Sequence, residues 1–429
     1  MKFELLHPAD QLVKIMDRIY SRGLTTTSGG NLSILDDNGD IWITPSGIDK
    51  GNLTRQDMCQ IKTDGTVVGP HRPSVELPFH ASIYKRRPDL RAVLHAHPPN
   101  LVAFSVARQL PDVNLVANAR RTCGVITMAE YSVPGSDSLG ENIAKEFEKG
   151  FNIILMENHG VCIGAGSLFD AFEKFETLEF TAGLEIIARK IGTPKSLHES
   201  EFNLTATQDH LNMDDFVTNK HTPEECAARR DMVTLIRRSY QHRLFVSTQG
   251  TYSVRLSDGS FLITPYGVDR AYMEESDLVL IRGGMKEQGK TPSRSVLLHK
   301  RIYEKHPHIN SILGANPPNS TVFAVTDRPF DARTIPESYI LLREVKKAPF
   351  YSVYMDHETI ADMFSQKTPV LICENASIMV TGDSLLHAFD RLEVAEATAQ
   401  SILASNDLGS IVHISDEEIK DIDNAFNLN

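Results

Sequence analysis

The stretch Leu94-His95-Ala96-His97-Pro98-Pro99-Asn100 places two histidines, one residue apart, at the end of an apolar run. Residues i and i+2 of a strand point to the same side, so His95 and His97 can present imidazole nitrogens to one metal ion. Pro98 and Pro99 end the strand just after the pair. Taken alone, the pair is better explained as two half-buried histidines on a strand face. The metal interpretation therefore needs support from elsewhere in the chain.

The second half of the chain repeats the pattern of the first at an offset of 217–220 residues. The matched stretches are 44–47 with 264–267, 73–74 with 292–293, 95–100 with 314–319, and 157–158 with 374–375. Four matches in the same order at a nearly constant offset indicate the internal duplication of a whole domain.

Residues that shape the backbone agree between the two halves, whereas residues capable of chemistry do not. The first-half residues His95, His97, His159 and Glu76 correspond to Gly314, Asn316, Ala376 and Ser295. Independent core histidines would have no reason to be lost together. A metal site predicts joint loss, because a partial ligand set binds poorly. We therefore expect the metal site in the first half only.

The composition is that of an ordinary globular protein of 429 residues with 41% hydrophobic residues and a net charge of −12. The negative charge argues against nonspecific binding to nucleic acid or anionic membranes. No apolar stretch is long enough to span a bilayer, and the N-terminus lacks the apolar core of a signal peptide. The five scattered cysteines show no CxxC spacing, which favours reduced thiols and a cytoplasmic location.

Apolar periodicity predicts helices at 8–22, 77–87, 138–149 and 168–191, and a hairpin turn at 36–39 between antiparallel strands. The polar, weakly patterned stretch 193–225 is predicted to be a linker with short helices. The predicted domains are thus 1–192 and 226–429. Between the first helix and the hairpin lies the small polar loop Thr25–Ser33, which suits a phosphate. An ordinary turn explains that loop at least equally well.

The first half resembles the class II aldolase/adducin family over roughly residues 8–192. The motifs that carry the resemblance are SGGN (28–31), TPSG (44–47), PSVE (73–76), HAHPPN (95–100) and ENHG (157–160), in the family's order. The resemblance implies two tandem α/β/α domains, each with a central, mainly antiparallel sheet, and a degenerate second domain comparable to an adducin head.

The resemblance also implies the roles of individual residues. Zn²⁺ is expected on His95, His97 and His159, with Glu76 approaching the metal and acting as the base. The expected phosphate ligands are Gly30, Asn31, Ser46, Gly47 and Ser74. Mn²⁺, Co²⁺ or Fe²⁺ remain alternatives to zinc. The family often has two consecutive serines before the acid, and Val75 stands in place of the second, which weakens the expectation of a terminal phosphate.

The resulting expectation is a lyase that cleaves a ketose phosphate, similar to fuculose 1-phosphate, into dihydroxyacetone phosphate and an aldehyde. A neutral three-histidine site with an open coordination position suits this Lewis acid chemistry. Epimerisation, decarboxylation or dehydration on the same site is the alternative, and a non-catalytic adducin-like scaffold is a third possibility. Glu76 favours the aldolase branch over the epimerases, which typically have Asp there.

Aldolases of this family use a tyrosine from a neighbouring subunit of a fourfold ring, after an Ile-Pro element. The corresponding stretch of the first half, Leu110–Asn114, has no tyrosine, whereas the second half has Ile335-Pro336-Glu337-Ser338-Tyr339. We therefore expect a homodimer that forms a pseudo-tetramer of domains, or a higher homo-oligomer, with Tyr339 reaching a first-half site. A buried tyrosine with a satisfied hydroxyl is the simpler alternative, and Tyr131 is a weaker candidate.

Overall fold

The computed structural model describes residues 3–208, 212–218 and 220–428, and the chain divides into two compact units. One unit comprises the chain up to Val113 together with Ala119–Gly183, and the other comprises Asn114–Asn118 and the chain from Leu184 onward. The division falls within a helix that is continuous from Leu168 to Ile191. The domain limits at 192 and 226 stay a prediction.

The described part of the first unit is built on an eight-stranded sheet. Its strands are β1 (Asn31–Leu35), β2 (Ile41–Ile43), β3 (Cys59–Ile61), β4 (Val67–Val68), β5 (Ala92–Ala96), β6 (Thr127–Ala129), β7 (Ile153–Met156) and β8 (Gly160–Ala165). The order across the sheet is β4-β3-β2-β1-β5-β8-β7-β6, and only β6 and β7 are parallel. The predicted hairpin joins β1 to β2, with Gly39 at a φ of 83°.

The α-helices described up to residue 191 are α1 (Pro8–Ser21), α2 (Leu77–Arg86), α3 (Pro99–Ala107), α4 (Ala117–Cys123), α5 (Asp137–Glu148) and α6 (Leu168–Ile191). The four predicted helices, α1, α2, α5 and α6, agree with their predicted bounds to within one residue, whereas α3 and α4 were not predicted. On one face of the sheet, Ile83 of α2 and Ile143 of α5 form a core with Val93 of β5. This packing holds the start of α2 beside the centre of the sheet, where the candidate site lies.

The described part of the second unit is built on a nine-stranded sheet in the order β15-β16-β17-β14-β10-β11-β12-β13-β9. Its strands are β9 (Asp215–Phe216), β10 (Thr251–Arg255), β11 (Phe261–Ile263), β12 (Val279–Arg282), β13 (Met285–Glu287), β14 (Ser311–Ala315), β15 (Val345–Ala348), β16 (Val370–Cys373) and β17 (Ser377–Gly382). Its helices are α7 (Glu199–Leu204), α8 (Pro223–Gln241), α9 (Val296–Lys305), α10 (Ser320–Ala324), α11 (Pro336–Leu342), α12 (Phe350–Met355), α13 (His357–Met363), α14 (Leu385–Ser405) and α15 (Asp416–Phe426).

The second sheet carries a hydrophobic core on each of its faces. Leu313 of β14 packs with residues of α8 and α14, and its neighbour Ile312 packs with residues of α9 and α13. Successive strand residues point to opposite faces, so this alternation shows helices on both sides of the sheet. The predicted α/β/α architecture with a mainly antiparallel sheet is confirmed.

The duplication extends to the pairing of individual residues. Ser33 pairs with Ile43 in the first sheet, and Ser253 pairs with Ile263 in the second. The bridge between Pro45 and Pro73 has its counterpart between Pro265 and Pro292. The two halves therefore place equivalent residues at equivalent positions, which allows a residue of one half to serve as the reference for the other.

The segment 193–225, predicted as a linker, contributes a strand to the second sheet, because β9 pairs with β13. It also contains α7, in keeping with the short helices expected there, whereas residues 209–211 and 219 lie outside the described residues. Among the described residues, no helix has the length and apolar character needed to cross a membrane.

Candidate metal centre

The end of β5 brings two of the predicted ligands together. His95 is a fully buried residue of β5, and His97 follows Ala96, the last residue of that strand. Pro98 caps α3 and Pro99 is its first residue, so the two prolines end the strand by starting a helix. The Nε2 atoms of His95 and His97 lie 3.0 Å apart.

The third histidine comes from the tight turn between β7 and β8. Asn158 adopts a φ of 53°, a left-handed conformation that asparagine tolerates better than most residues, and the turn directs His159 back toward β5. The ring centroid of His159 lies 4.9 Å from that of His95 and 5.0 Å from that of His97. One nitrogen from each of the three rings can be chosen so that all lie within 4.8 Å of one another.

Glu76 faces this cluster from the start of α2. Its Oε2 lies 3.3 Å from Nε2 of His95, and its Oε1 lies 3.7 Å from Nε2 of His159. Glu76 is the N-cap residue of α2, where a negative charge interacts favourably with the helix dipole. The four residues predicted to form a metal centre and its base are therefore adjacent in the structure.

Burial keeps the imidazoles neutral. Burial and, to a smaller extent, the neighbouring His159 lower the pKa of His95 to about 3, against the opposing effect of a hydrogen bond to the Val161 carbonyl. Burial lowers the pKa of His97 to about 4, with a further contribution from His95. The pKa of His159 is also lowered by burial, against the opposing charge of Glu76. Neutral imidazole is the form that binds a metal.

The donor set fits a divalent metal ion. Nδ1 of His95 donates to the carbonyl of Val161 at 2.9 Å, which leaves the Nε2 lone pair directed toward the cluster. Such a second hydrogen bond typically orients a metal-binding histidine. Three neutral imidazoles from a strand and a tight turn are a ligand set that divalent metal ions accept.

The residues predicted to bind phosphate lie on three connected loops. Gly30 precedes β1 with a φ of 71°, and an added Cβ there would lie 2.7 Å from the carbonyl oxygen of His95. Ser46 and Gly47 follow β2, and the backbone N–H of Ser46 donates to the backbone carbonyl of Arg72 at 2.9 Å. Ser74 is bonded to the same turn, because its N–H donates to the Thr44 carbonyl at 3.3 Å. Gly30 thus belongs to a glycine loop that lies against the metal centre.

Asn31 differs from the other predicted phosphate ligands because both ends of its amide are engaged by protein. Its Nδ2 donates to Oε2 of Glu76 at 2.6 Å, and its Oδ1 accepts from Nε2 of His80 at 2.5 Å. His80 is also bonded through Nδ1 to Ser33 at 2.6 Å, and Ser33 to Tyr84 at 2.7 Å. The sequence interpretation missed His80, Ser33 and Tyr84.

The duplication provided a signal that would have found these three residues. Ser33, His80 and Tyr84 correspond to Ser253, His299 and Tyr303 at offsets of 220, 219 and 219. In the second half, Ser253 makes the same two bonds, at 2.7 Å to Nδ1 of His299 and at 2.7 Å to the hydroxyl of Tyr303. The serine–histidine–tyrosine group is therefore common to both halves and is not specific to the metal centre.

Two buried ionisable residues near the site were also missed. Lys50, only 3% exposed, donates its Nζ to the Pro45 carbonyl at 2.5 Å, just before the predicted phosphate ligand Ser46. Glu179 of α6 accepts the backbone N–H groups of Asn100 and Leu101 at 3.1 and 3.0 Å, and so holds the start of α3. Glu396 repeats this contact in the second half, on the N–H groups of Asn319 and Ser320.

Tyr339 lies on α11 of the second unit, and its hydroxyl donates to Oδ1 of Asp423 at 3.0 Å. Arg343 donates to the same oxygen at 2.9 Å and lies over the tyrosine ring. Burial and Asp423 raise the pKa of the Tyr339 phenol. The hydroxyl thus has a partner within its own unit, and a catalytic role for Tyr339 stays a prediction.

The corresponding position in the second unit is closed by its own residues. Asn316, the counterpart of His97, donates its side-chain amide to the carbonyl of Ala376, the counterpart of His159. Ser295, the counterpart of Glu76, lies 3.3 Å from Ser293 through its hydroxyl oxygen. Of the four replacements, Asn316 and Ser295 make hydrogen bonds within the unit, and Gly314 and Ala376 carry no polar side chain.

The three-histidine cluster lies in the first of two copies of the same α/β/α domain. The family model described as "Class II Aldolase and Adducin N-terminal domain" matches residues 10–186 and 230–403. The chain therefore belongs to the class II aldolase/adducin family, with two copies of its domain in tandem.

Three similar proteins show the range of activities within the family. The chain is 32% identical to a 3-oxo-tetronate 4-phosphate decarboxylase of Pectobacterium atrosepticum, over 41% of this chain and 83% of the relative. It is 33% identical to a 5-deoxy-D-ribulose 1-phosphate aldolase of Bacillus thuringiensis, over 45% and 90% of the two chains. It is 32% identical to an L-fuculose phosphate aldolase of Methanococcus maripaludis, over 42% and 97%. Each alignment has the length of one domain of this chain.

Proposed function

We propose that this chain is a zinc-dependent lyase that cleaves a ketose phosphate, similar to fuculose 1-phosphate, into dihydroxyacetone phosphate and an aldehyde. The observation that supports the proposal best is the convergence of the Glu76 carboxylate with Nε2 atoms of His95 and His159, beside His97. Two of the relatives are aldolases. By their names, one acts on 5-deoxy-D-ribulose 1-phosphate and the other on L-fuculose phosphate.

His95, His97 and His159 would hold the metal ion. When bound there, the ion would supply Lewis acidity toward the carbonyl of the substrate. Zinc suits three neutral imidazoles, and Mn²⁺, Co²⁺ and Fe²⁺ are the alternatives. The hydrogen bond from His95 to Val161 fixes the tautomer that this role requires.

Glu76 would move the proton. Retro-aldol cleavage removes a proton from the hydroxyl on the carbon that becomes the aldehyde, and it returns a proton to the carbon next to the carbonyl. A carboxylate can return only a proton that it has first accepted, so Glu76 would act as a shuttle between these two positions. Its position close to two of the histidines supports this role, because a substrate bound at the cluster would lie beside the carboxylate.

The phosphate of the substrate would be bound by the loops that carry Gly30, Ser46, Gly47 and Ser74, together with Asn31 as predicted from the resemblance. Their positive-φ glycines expose backbone N–H groups that suit an anion.

We further propose a cytoplasmic enzyme, because all five cysteines are unpaired, as expected in a reducing compartment.

Decarboxylation of a phosphorylated 3-oxo sugar acid is the second candidate reaction. The decarboxylase of Pectobacterium atrosepticum is as similar to this chain as the aldolases are. Both reactions break a carbon–carbon bond next to a carbonyl and leave a carbanion to be protonated. The same histidines and the same carboxylate can therefore serve either reaction.

The product formed from a panel of substrates tests the proposal and separates the two reactions. The full chain, loaded with Zn²⁺, is incubated with C1-phosphorylated ketoses and with a 3-oxo-tetronate 4-phosphate. Dihydroxyacetone phosphate formed from a ketose phosphate supports the aldolase reaction. Release of CO₂ from the oxo acid, without turnover of any ketose phosphate, supports the decarboxylase reaction. Glu76→Gln is expected to abolish turnover, whereas Ser295→Ala at the equivalent second-half position leaves it unchanged. Metal-loaded protein without turnover on any of them contradicts both proposals.

We propose in addition that two chains form a pseudo-tetramer of domains in which Tyr339 acts at a first-half site of the assembly. The hydroxyl would have to leave Asp423 to do so. Tyr339→Phe is expected to lower kcat while native metal content and the mass in sedimentation stay unchanged. Unchanged turnover in this variant would show that Tyr339 serves its own domain only.

A further inference from the structure

A buried chain of hydrogen bonds leads from Glu76 into the first sheet. Its members are Glu76, Asn31, His80, Ser33 and Tyr84, joined by distances of 2.6, 2.5, 2.6 and 2.7 Å. All are less than 9% exposed. These hydrogen bonds connect the carboxylate of Glu76, the N-cap residue of α2, to side chains that are fixed by β1 and α2.

The direction of every bond in this chain is determined by its end at Glu76. An ionised carboxylate only accepts, so Asn31 must donate with Nδ2 and accept with Oδ1. His80 must then donate from Nε2, so its Nδ1 accepts from the Ser33 hydroxyl. Ser33 has no further hydrogen to give, so Tyr84 donates to it. The bond to Glu76 uses one of the two Nδ2 hydrogens of Asn31, and the bond from His80 uses Oδ1, so the amide is held at both ends.

The second half shows what happens when the link is missing. Thr251 stands in place of Asn31 and bonds to Ser293 at 2.7 Å. His299, the counterpart of His80, keeps its bond to Ser253, yet its buried Nε2 has no hydrogen-bond partner among the described residues. The half that lost Glu76 thus also lost the asparagine, although it kept the serine, histidine and tyrosine behind it.

We propose that Asn31 is a positioning residue that holds the Glu76 carboxylate against the three histidines. The inference rests on the proposed function only for the role of Glu76 as proton shuttle. His80 serves as the fixed support for the Asn31 amide.

Asn31→Thr, which copies the second half, is compared with Ser74→Ala in the full, metal-loaded chain. We expect Asn31→Thr to lower kcat by about 10- to 100-fold, as the loss of an outer-shell partner does at metal sites. Its metal content should stay within twofold of the unaltered protein, because the three histidines are untouched. Ser74→Ala should instead weaken the binding of inorganic phosphate, measured by calorimetry. The reciprocal exchange Thr251→Asn is the matched control and should leave kcat and metal content unchanged.

An unchanged kcat in Asn31→Thr, with its metal content retained, would overturn the inference. Asn31→Ser repeats the measurement if the threonine variant does not fold. A further readout does not depend on any substrate: denaturant unfolding of Asn31→Thr, Glu76→Ala and the double variant should be non-additive because the two side chains touch. Additive effects would overturn the positioning role. If the unaltered chain turns over no ketose phosphate, only the proposed function fails, and the unfolding cycle still decides the inference.

Discussion

Gly160, the last residue of the ENHG motif, is predicted to be essential for the geometry of the metal centre. A Cβ at this position would lie 2.5 Å from the carbonyl oxygen of Ala96 and 2.7 Å from Cδ2 of His97. Carbon atoms in contact are normally about 3.5–4.0 Å apart. The His97 ring would therefore have to move by about 1 Å in Gly160→Ala, and the β5–β8 contact would have to open.

The magnitude of the effect follows from these displacements. Overpacking of this kind costs about 1–3 kcal/mol of unfolding free energy. A shift of about 1 Å is large beside a zinc–nitrogen bond of about 2.0–2.1 Å. We expect the affinity for Zn²⁺ to fall by at least about 10- to 100-fold, which corresponds to about 1.4–2.7 kcal/mol.

Chelator competition measures the metal affinity, and guanidinium unfolding of the metal-free protein measures the stability. The matched control is Ser377→Ala, because Ser377 occupies the equivalent position in the second half, where no imidazole is present. In a His97→Asn background, the destabilisation by Gly160→Ala should be smaller, since the ring that it displaces is gone. Unchanged zinc affinity and stability in Gly160→Ala would refute this explanation of the motif.

Two further predictions concern pH and specificity. Burial raises the pKa of Glu179 to about 7 and lowers that of Lys50 to about 8. The contribution of Glu179 to the free energy of unfolding is therefore fully present below its unfolded pKa of 4.5. Up to about 3 kcal/mol of this contribution is lost as the pH rises to the folded pKa of about 7. Lys50 has the opposite slope, because the unfolded chain holds its proton more tightly, so stability rises between about pH 8 and 10.5. Glu179→Gln and Lys50→Met should each remove their own slope from unfolding curves measured across pH, and persistence of a slope would contradict its assignment. Val75→Ser adds a hydroxyl at a residue 67% exposed beside Ser74, and should tighten inorganic phosphate binding by about 2- to 10-fold; unchanged binding would place the phosphate elsewhere.

The internal duplication made much of the fold and the metal centre accessible from the sequence. Backbone-shaping residues such as Asn158 and Asn375 recur in both halves, and both adopt positive φ. His95, His97 and His159 stood out because their counterparts were replaced together. A single copy would have left the HxH pair as an ordinary strand feature.

Other parts of the site could not be predicted, for physical reasons. The bond between Asn31 and Glu76 joins residues 45 positions apart and depends on the exact approach of α2 to β1. The resemblance placed Asn31 near a phosphate but could not show that its amide bonds to Glu76 and His80. The sequence of one half alone gives no sign that His80, Ser33 and Tyr84 act together, because their hydrogen bonds form only when β1 and α2 come together in the fold.

The partner of Tyr339 was equally invisible in the sequence, since Asp423 lies 84 residues further along and on a different helix. The pairing of β9 with β13 was missed because a strand of two residues has no detectable periodicity. Long-range hydrogen bonds and short edge strands are thus the features that the sequence did not predict.

The metal content of the purified chain tests the central claim most directly. After loading with Zn²⁺ and dialysis, elemental analysis should find one ion per chain, and His95→Ala, His97→Ala and His159→Ala should each lose it. His299→Ala, a buried histidine of the second unit, should retain it. Two ions per chain, no ion, or an ion that survives all three first-half substitutions would contradict a single three-histidine metal centre in the first half of the chain.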